Sequence, residues 1–485
     1  MGVIDATMTR PIPATGTSFL ADLDRVVVAG LGRSGRGAAA LLAGRGVRFS
    51  VVDARAANLP RDARDILPAD TEIVAQDAAA AHVAAAGLVV VSPGIDLRRQ
   101  PWAQAAACGV PFMSELELAW RFVTSPLLAI TGSNGKSTVT AMVGRLLAAA
   151  GADARVCGNI GTPLSAAVAG QREDTIFVVE VSSFQLEAVH GFRPDVAMLL
   201  NVTPDHQNRY DQHADYLAAK EKIFARQGRG DRAILDLDDP AAAAVAKRLS
   251  KRRSGPALLP VSLRRPPAGG ADGAWLADDT LILRHAGKTR RLLQRDELTL
   301  AGSHNVTNAL AAALMVAAAG KEPDPSALAM FPPLPHRLET VARHHGVRYV
   351  NDSKATNVES ARAALRAFAC GRVLVILGGR DKGGDFASLV PDLRRQARAV
   401  YAMGEAGPAI AEALRPGLPG EMPVSVVPDL AAAVTAATAA ANAGDVILLA
   451  PACASFDAYS DFTARGEHFR RLAGSPSPGE DHHGA

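Results

Sequence analysis

At 485 residues the chain has room for roughly three domains. Hydrophobic residues make up 48% of it and charged residues 21%, an ordinary soluble globular composition. The formal net charge of +3 is small for this length and gives no electrostatic reason to expect nucleic acid or an anionic membrane as a partner. Four cysteines (Cys108, Cys157, Cys370 and Cys453) are widely scattered with no C-x-x-C pair. That pattern points to a reducing compartment and away from a disulfide framework or a zinc site.

Residues 1–20 read as an unstructured arm. Asp5, Arg10 and two prolines stand where a signal peptide would need an apolar core, and Ala6 breaks the myristoylation pattern. No window reaches about 20 apolar residues without a polar interruption, so no membrane span and a cytoplasmic location are expected. From 21 to 123 short β-branched runs at 26–28, 47–52 and 88–91 alternate with Ala/Leu-rich helical segments, the signature of a parallel α/β unit. Gly30-Leu-Gly32-Arg-Ser-Gly35 follows the first run, and Asp53 closes the second. Alone, these form a dinucleotide fingerprint with its ribose-binding acid. The same turn suits any diphosphate on a helix N-terminus, and nothing downstream resembles a hydride-transfer site, so NAD is one option among several.

A second α/β block runs from 124 to 333. Its apolar run at 127–130 leads into Thr131-Gly-Ser-Asn-Gly-Lys-Ser-Thr138, which reads as a strand, a glycine-rich turn and a helix start. Backbone N–H groups of such a turn and the positive end of the helix dipole cradle phosphates. Gly132, Asn134, Gly135 and Thr138 shape the cradle, Lys136 reaches the β/γ-phosphates, and Ser137 offers its hydroxyl to Mg²⁺. The loop is a variant: Ile130 stands where the usual pattern has its first glycine, and Gly132 takes the turn. Downstream, the strand-like run at 176–181 contains Glu180, which opens Glu180-Val-Ser-Ser-Phe-Gln-Leu-Glu187. A carboxylate at a strand end near a P-loop is the expected second Mg²⁺ ligand, with helix capping as the other reading. His206, in Asn201-Val-Thr-Pro-Asp-His206, lies just past another strand-like run at 196–200, where open α/β sheets place their sites; a plain surface histidine is the alternative. The stretch 216–224 looks like a helix with an apolar face and solvated lysines, and its pattern assigns no role to Lys220. The basic, proline-rich patch at 250–273 reads as a nucleic-acid contact or as a solvated loop before a hairpin. Prolines and glycines break up its charges, which favours the loop.

Pro332-Pro333, with Pro335 close behind, marks a second boundary. The third block, 334–473, has runs at 347–351, 373–379, 399–403 and 445–449 between helices, and 474–485 reads as a linker-like tail. The Ala-rich stretch 431–443 is helix-forming filler. Donor-dense pieces recur at strand ends and helix starts: Gly302-Ser-His-Asn305-Val-Thr-Asn308, Pro335-His-Arg337-Leu-Glu339, Asn351-Asp-Ser-Lys-Ala-Thr-Asn357, Gly378-Gly-Arg-Asp-Lys-Gly-Gly384 and Pro451-Ala-Cys-Ala-Ser-Phe456. Asn and Arg suit a purine edge, a ribose or a phosphate; Lys, Ser and Thr suit carboxylates.

These pieces, in this order, resemble the Mur ligases of peptidoglycan synthesis, over about Val26 to Leu472. TGSNGKST, EVSSFQLE, GSHNVTNA and LPHRLE are shared loosely across that family, while NDSKATN and APACASFD point to its D-glutamate-adding branch. The resemblance implies an α/β protein of three domains: a Rossmann-like N-terminal domain for the UDP substrate, a central P-loop ATPase-like domain, and a C-terminal Rossmann-like domain for the amino acid. It implies that Gly32, Ser34, Asp53, Arg55 and Ser92 contact UDP rather than NAD, and that Asn159 in the Gly-Asn-Ile-Gly turn reaches the muramoyl part. ATP and two Mg²⁺ ions are expected, with Lys136 on the phosphates, Ser137 and Glu180 on one metal and His206 on the other. Lys220 matches the family's carbamylated lysine, whose CO₂ adduct turns a cation into a carboxylate-like metal ligand. Asn305, Asn308, Arg337 and Asp352 are implied for ATP. Lys354, Thr356, Lys382, Ser455, Phe456 and Phe462 are implied for D-glutamate.

The reaction that follows from the resemblance is ATP-dependent amide formation on UDP-N-acetylmuramoyl-L-alanine through an acyl phosphate, carried by Lys136, Glu180, His206 and Lys220. Partners are expected to be small molecules only, with the chain a monomer. The chain departs from the family in its extended arm, its basic 250–273 patch and Arg33, which is large for a place beside the uracil. Rival readings are a sister ligase adding another amino acid or extending folate with glutamate, a nucleotide-binding regulator without turnover, and a dehydrogenase.

Overall fold

A first sheet is built from β1 (Val26–Ala29), β2 (Phe49–Asp53), β3 (Ile73–Ala75), β4 (Leu88–Val91) and β5 (Phe112–Ser114), in the order 3-2-1-4-5. Every neighbouring pair is parallel. Helices cover both faces of such a sheet, which is why β1 and β4 are unbroken apolar runs and every residue in them is buried. Strand order diverges on either side of β1, so the crevice at its carboxyl end is where an open sheet of this kind receives a ligand.

The computed structural model describes residues 25–474 apart from Pro60, Asn208 and Ala301. The arm expected at 1–20 lies outside these residues, as does the tail expected at 474–485 except for Gly474, which closes the last helix, Phe462–Gly474. Among the described residues the chain forms two compact units: one runs up to Val202 and includes Ala214–Leu298 and Ser303–Phe331, the other is made of Thr203–His213, Thr299–Gly302 and the chain from Pro332 onward.

The first unit also holds β6 (Leu127–Thr131), β7 (Asp153–Gly158), β8 (Thr175–Glu180), β9 (Val196–Leu199), β10 (Arg232–Asp236), β11 (Ala257–Ser262), β12 (Gly273–Ala277), β13 (Thr280–His285) and β14 (Lys288–Gln294). Their order is 14-13-12-11-10-9-6-8-7, parallel from β7 to β12 and ending in an antiparallel β12–β13–β14 meander. The helix Ser303–Ala318 is buried from Val306 onward on nearly every side and packs against the helix Lys136–Ala149. An all-round apolar helix of this kind belongs in a core.

The patch at 250–273 departs from the expected loop. Its Ala-Leu-Leu-Pro-Val-Ser run is β11, with Leu259 and Val261 buried. β11 meets β12 only at Val261 and Ser262, so Pro260, which has no N–H to give, falls before that ladder begins. The hairpin expected after the patch is present.

Within the same unit, the helix Glu115–Trp120 fastens the first sheet to the second. Ser114 caps it, accepting the Glu117 N–H. The fully buried Glu117 carboxylate accepts the N–H groups of His190 (3.3 Å), Gly191 (3.0 Å) and Phe192 (2.8 Å), and Arg121 Nη2 at 2.8 Å. Glu115 accepts the Ser165 N–H at 2.7 Å, and burial raises its carboxyl above the usual range despite that bond.

The second unit carries β15 (Glu339–His344), β16 (Val347–Asn351), β17 (Val373–Gly378), β18 (Ala397–Met403), β19 (Val424–Val427) and β20 (Val446–Leu449), in the order 15-16-20-17-18-19. Only β15 runs antiparallel to its neighbour. Along β17, Val373, Val375 and Leu377 enter one core while Leu374 and Ile376 enter the other, the period of two that a strand covered on both faces imposes. Among the described residues no helix is long and apolar enough to cross a membrane, and all four cysteines are free.

Candidate active site

The loop after β6 turns into the helix Lys136–Ala149 through Gly135, whose φ of +84° is left-handed. A Cβ there would also lie 2.6 Å from Asn308 Oδ1, so the turn is packed on the buried helix Ser303–Ala318. Asn308 Nδ2 in turn donates to Asn305 Oδ1 at 3.1 Å, which joins two residues the resemblance assigns to ATP.

Two ammonium groups converge on one loop carbonyl. Lys136 Nζ donates to Gly132 O and Ser133 O, each at 2.8 Å, and Lys220 Nζ donates to Gly132 O at 2.9 Å. Lys220 is only 1% exposed, which overturns the solvated lysine that its helix pattern suggests. The cause is tertiary: it shares a helix face with Tyr216, one turn earlier, and its Nζ sits 4.5 Å from the Tyr216 ring centroid. The Tyr216 hydroxyl accepts from Ser133 Oγ at 3.2 Å, so this face is tied to the phosphate loop. Asn201, to which no role was assigned from sequence, clamps the same loop. Its Oδ1 accepts the Asn134 N–H at 2.8 Å, its Nδ2 donates to Asn134 O at 3.2 Å, and its carbonyl accepts the Ser133 N–H at 2.8 Å. Its position just past β9 was the available signal.

Glu180 ends β8, 1% exposed. Its Oε1 accepts Asn159 Nδ2 at 2.8 Å, while Oε2 is buried with no hydrogen-bond partner. The capping alternative fails, because Ser182 and Gln185 form the capping box of the helix Ser183–Glu187. A buried carboxylate oxygen left unpaired is costly unless a cation completes it, so Glu180 fits a metal ligand. Ser137, buried in the first turn of the phosphate-loop helix, supplies a hydroxyl. Among the described residues no three His, Cys, Asp or Glu side chains gather as a metal set.

At the first sheet, Asp53 Oδ2 accepts the Leu31 N–H at 2.6 Å and Oδ1 accepts the Arg55 N–H at 2.7 Å. Ser92 Oγ donates to Gly30 O at 2.8 Å. Asp53 and Ser92 thus hold the glycine-rich turn from the strands on either side of β1, with Gly32 and Ser34 at the start of the helix Arg33–Ala43. The Arg55 side chain is exposed. Arg33 Nη1 reaches Gly161 O, in the turn that carries Asn159, at 3.3 Å.

In the second unit, Asp352 follows β16 and is buried. Burial pushes its carboxyl up to about 7 although Arg337 draws it down. A raised acid favours the folded state most when protonated, so this contribution is full below the ordinary carboxylate range and is lost as pH rises through about 7. Thermal melts of the wild type and Asp352→Asn should therefore diverge, the wild type losing stability relative to the variant between about pH 4 and about pH 7. Parallel curves would place the titration elsewhere.

Lys354 Nζ lies 4.0 Å from the Phe462 ring centroid, and Ser455 is buried while Phe456 is 61% exposed. The Thr356 N–H donates to Lys354 O at 2.8 Å. Arg465, unmarked by any sequence pattern, is a buried guanidinium with no acid among the partners that hydrogen-bond it. It donates to Ser353 O (2.9 Å), Ser353 Oγ (3.0 Å), Cys453 O (3.1 Å), Ala454 O (3.3 Å) and Gly378 O (3.4 Å). Burial lowers its pKa to about 10. It draws together the loops after β16, β17 and β20, which carry Lys354, Lys382 and Ser455. His206 belongs by contact to this second unit, as does Lys382, whose Nζ lies 3.0 Å from Asp205 Oδ1.

Comparison with known proteins agrees with this layout. The Mur ligase MurD-like N-terminal domain matches residues 24–114, the Mur ligase middle domain 130–316 and the Mur ligase glutamate ligase domain 336–453. The chain is 41% identical to a UDP-N-acetylmuramoylalanine--D-glutamate ligase of Acidobacterium capsulatum, over 92% of this chain and 95% of that one. It is also 41% identical to the protein of the same name from Anaeromyxobacter dehalogenans, over 93% and 97%. Among solved structures, the MurF ligase of Thermotoga maritima in complex with ADP aligns with a TM-score of 0.56 at 16% identity, over 98% of both chains. FolC of E. coli, in complex with DHPP and ADP, aligns at 0.53 and 19%, over 74% of this chain and 91% of that one. These likenesses establish the fold, and the near-full-length sequence identity establishes the lineage: the chain belongs to the Mur ligase family.

Proposed function

We propose that the chain is an ATP-dependent ligase that joins D-glutamate to the L-alanine carboxylate of UDP-N-acetylmuramoyl-L-alanine, a cytoplasmic step of peptidoglycan precursor synthesis. The observation that carries this is identity of 41% across 92% of the chain with a relative bearing that name. The packed phosphate loop and the unpaired Glu180 Oε2 supply the matching chemistry.

A carboxylate is a poor electrophile, and phosphorylation by ATP makes its carbon attackable by an amine at neutral pH. Lys136, fixed over the loop by two carbonyls, is placed to exchange them for phosphate oxygens, which are stronger acceptors of a charged donor. Asn201 keeps the loop backbone in one conformation, so the cradle is formed before ATP arrives. Asn305, Asn308, Arg337 and Asp352 are the proposed nucleotide contacts. Gly32, Ser34, Asp53, Arg55, Ser92 and Asn159 are the proposed UDP-substrate contacts. Ser137, Glu180, His206 and a carbamate on Lys220 are the proposed ligands of Mg²⁺, which when bound offsets charge on the transferring phosphoryl group. The D-glutamate carboxylates fall to Lys354, Thr356, Lys382 and Ser455, beside Phe456 and Phe462.

The deciding experiment is phosphate release from ATP with UDP-N-acetylmuramoyl-L-alanine while the amino acid is varied. Turnover with D-glutamate and not with L-glutamate, L-lysine or meso-diaminopimelate is expected. Turnover with another amino acid would reassign the chain to a sister ligase. ATP binding without turnover would leave a nucleotide-binding regulator.

A further inference from the structure

Asp205 carries none of the roles proposed above, yet its side chain is buried and fully engaged. Oδ1 accepts from Lys382 Nζ at 3.0 Å and from the His206 N–H at 2.8 Å. Oδ2 accepts from Asn357 Nδ2 at 2.9 Å and lies 3.7 Å from His206 Nε2. Asn357 is itself fixed, since its Oδ1 accepts the Ser360 N–H at 2.8 Å and caps the helix Val358–Leu365. Burial opposes the Asp205 charge, but Lys382, His206 and Asn357 outweigh it and hold the carboxyl well below the usual range. One carboxylate thus gathers three separate pieces of the second unit: the segment Thr203–His213, the helix start at Asn357 and the loop that carries Lys382. The join is tight. His206 has a left-handed φ of +56°, a conformation that persists in a residue with a Cβ only where its surroundings fix it. Opposite it, Gly383 is left-handed at +84°, and a Cβ there would meet the Gln207 side chain at 3.2 Å.

Resting on the functional reading above, we propose that Asp205 is a positioning residue for the amino-acid step. It fixes the Lys382 ammonium, so the carboxylate of the incoming amino acid meets a lysine already held in place. A free lysine side chain must give up rotamer freedom when it binds, and one anchored beforehand has already done so. An ammonium has three donors, so the bond to Asp205 leaves Lys382 able to grip a substrate oxygen as well. Asp205 also accepts the N–H of His206, a bond that Asp205→Asn keeps through its amide oxygen, so that substitution isolates the contact with Lys382.

The test is a double-mutant cycle on initial rates with Asp205→Asn, Lys382→Met and the pair, reading KM for D-glutamate, ATP and the UDP substrate separately. Asp205→Asn is expected to raise KM for D-glutamate about tenfold while the other two stay within about twofold. In the Lys382→Met background it should add less than about twofold, because its effect runs through that lysine. Asp205→Glu, which keeps the charge, should recover most of the loss. Should Asp205→Asn not fold, Asn357→Ser removes one donor to Asp205 but keeps a good helix cap, and should raise KM for D-glutamate about threefold. Additive effects in the cycle, equal shifts in all three KM values, or an Asp205→Glu as impaired as Asp205→Asn would overturn the proposal. A wild type that turns over no D-glutamate would instead overturn the functional reading beneath it.

Discussion

Lys220→Arg and Lys220→Ala should each lose about 10³-fold or more of ligase turnover, while ATP binding stays within a few-fold of wild type. The two changes separate the roles this buried amine can have. If Lys220 served only as a cation over Tyr216 and Gly132 O, arginine would keep the charge, the donor and the aromatic contact. If it acts as a carbamate, arginine fails as completely as alanine, since a guanidinium does not take up CO₂. High bicarbonate should not restore either variant, because the reacting amine is gone. A carbamate keeps one N–H donor, so the bond to Gly132 O is compatible with the modified side chain. Initial rates for the two variants, with nucleotide binding measured alongside, decide the matter. Full activity in Lys220→Arg would sink the carbamate.

The second large effect is on stability. Glu117→Ala should destabilise the first unit by about 3–5 kcal/mol, because it strands the buried Arg121 guanidinium and the N–H groups of His190, Gly191 and Phe192 together. Glu117→Gln keeps an acceptor oxygen and should cost less, about 1–3 kcal/mol. Trp120 lies on the same helix, edge-on to Phe192 with ring centroids 6.3 Å apart, so its fluorescence reports this junction during denaturation. A Glu117→Ala protein that unfolds with the wild type would mean that the junction adds nothing to stability.

Both predictions concern residues that local pattern under-described. The phosphate loop was legible because its parts are contiguous: an apolar strand, glycines where the backbone turns left-handed, then a lysine and a serine at a helix start. Glu180 was legible for the same reason, ending an apolar run beside that loop. The parallel strands β1, β2, β4, β6, β8, β9, β16, β17, β18 and β20 stood out because burial on both faces leaves apolar runs, whereas β3, β5, β7, β10, β12 and β19 are shorter or mixed in pattern and were not singled out. Lys220 was legible only through resemblance. A lysine in a mixed helix looks solvated until the fold brings Tyr216 and the Gly132 carbonyl to it. Glu117, Arg465 and Asp205 are hidden by the same physics: each is a charge most of whose partners lie on distant segments, and single-sequence periodicity carries no record of those. β11 was missed because prolines and arginines on either side made a half-buried strand look like a surface loop.

The chain enters its second unit three times, at Thr203–His213, at Thr299–Gly302 and from Pro332 onward. This interleaving limits where this chain can be spliced to a relative. A chimaera joined at Pro332, taking its C-terminal portion from a sister ligase, would inherit that donor's loop around Lys382 but keep the host's Asp205. The two sides of that ion pair would then descend from different lineages. On the role proposed for Asp205, an exchange of amino-acid specificity should succeed only with a discontinuous graft that moves Thr203–His213 along with the C-terminal portion.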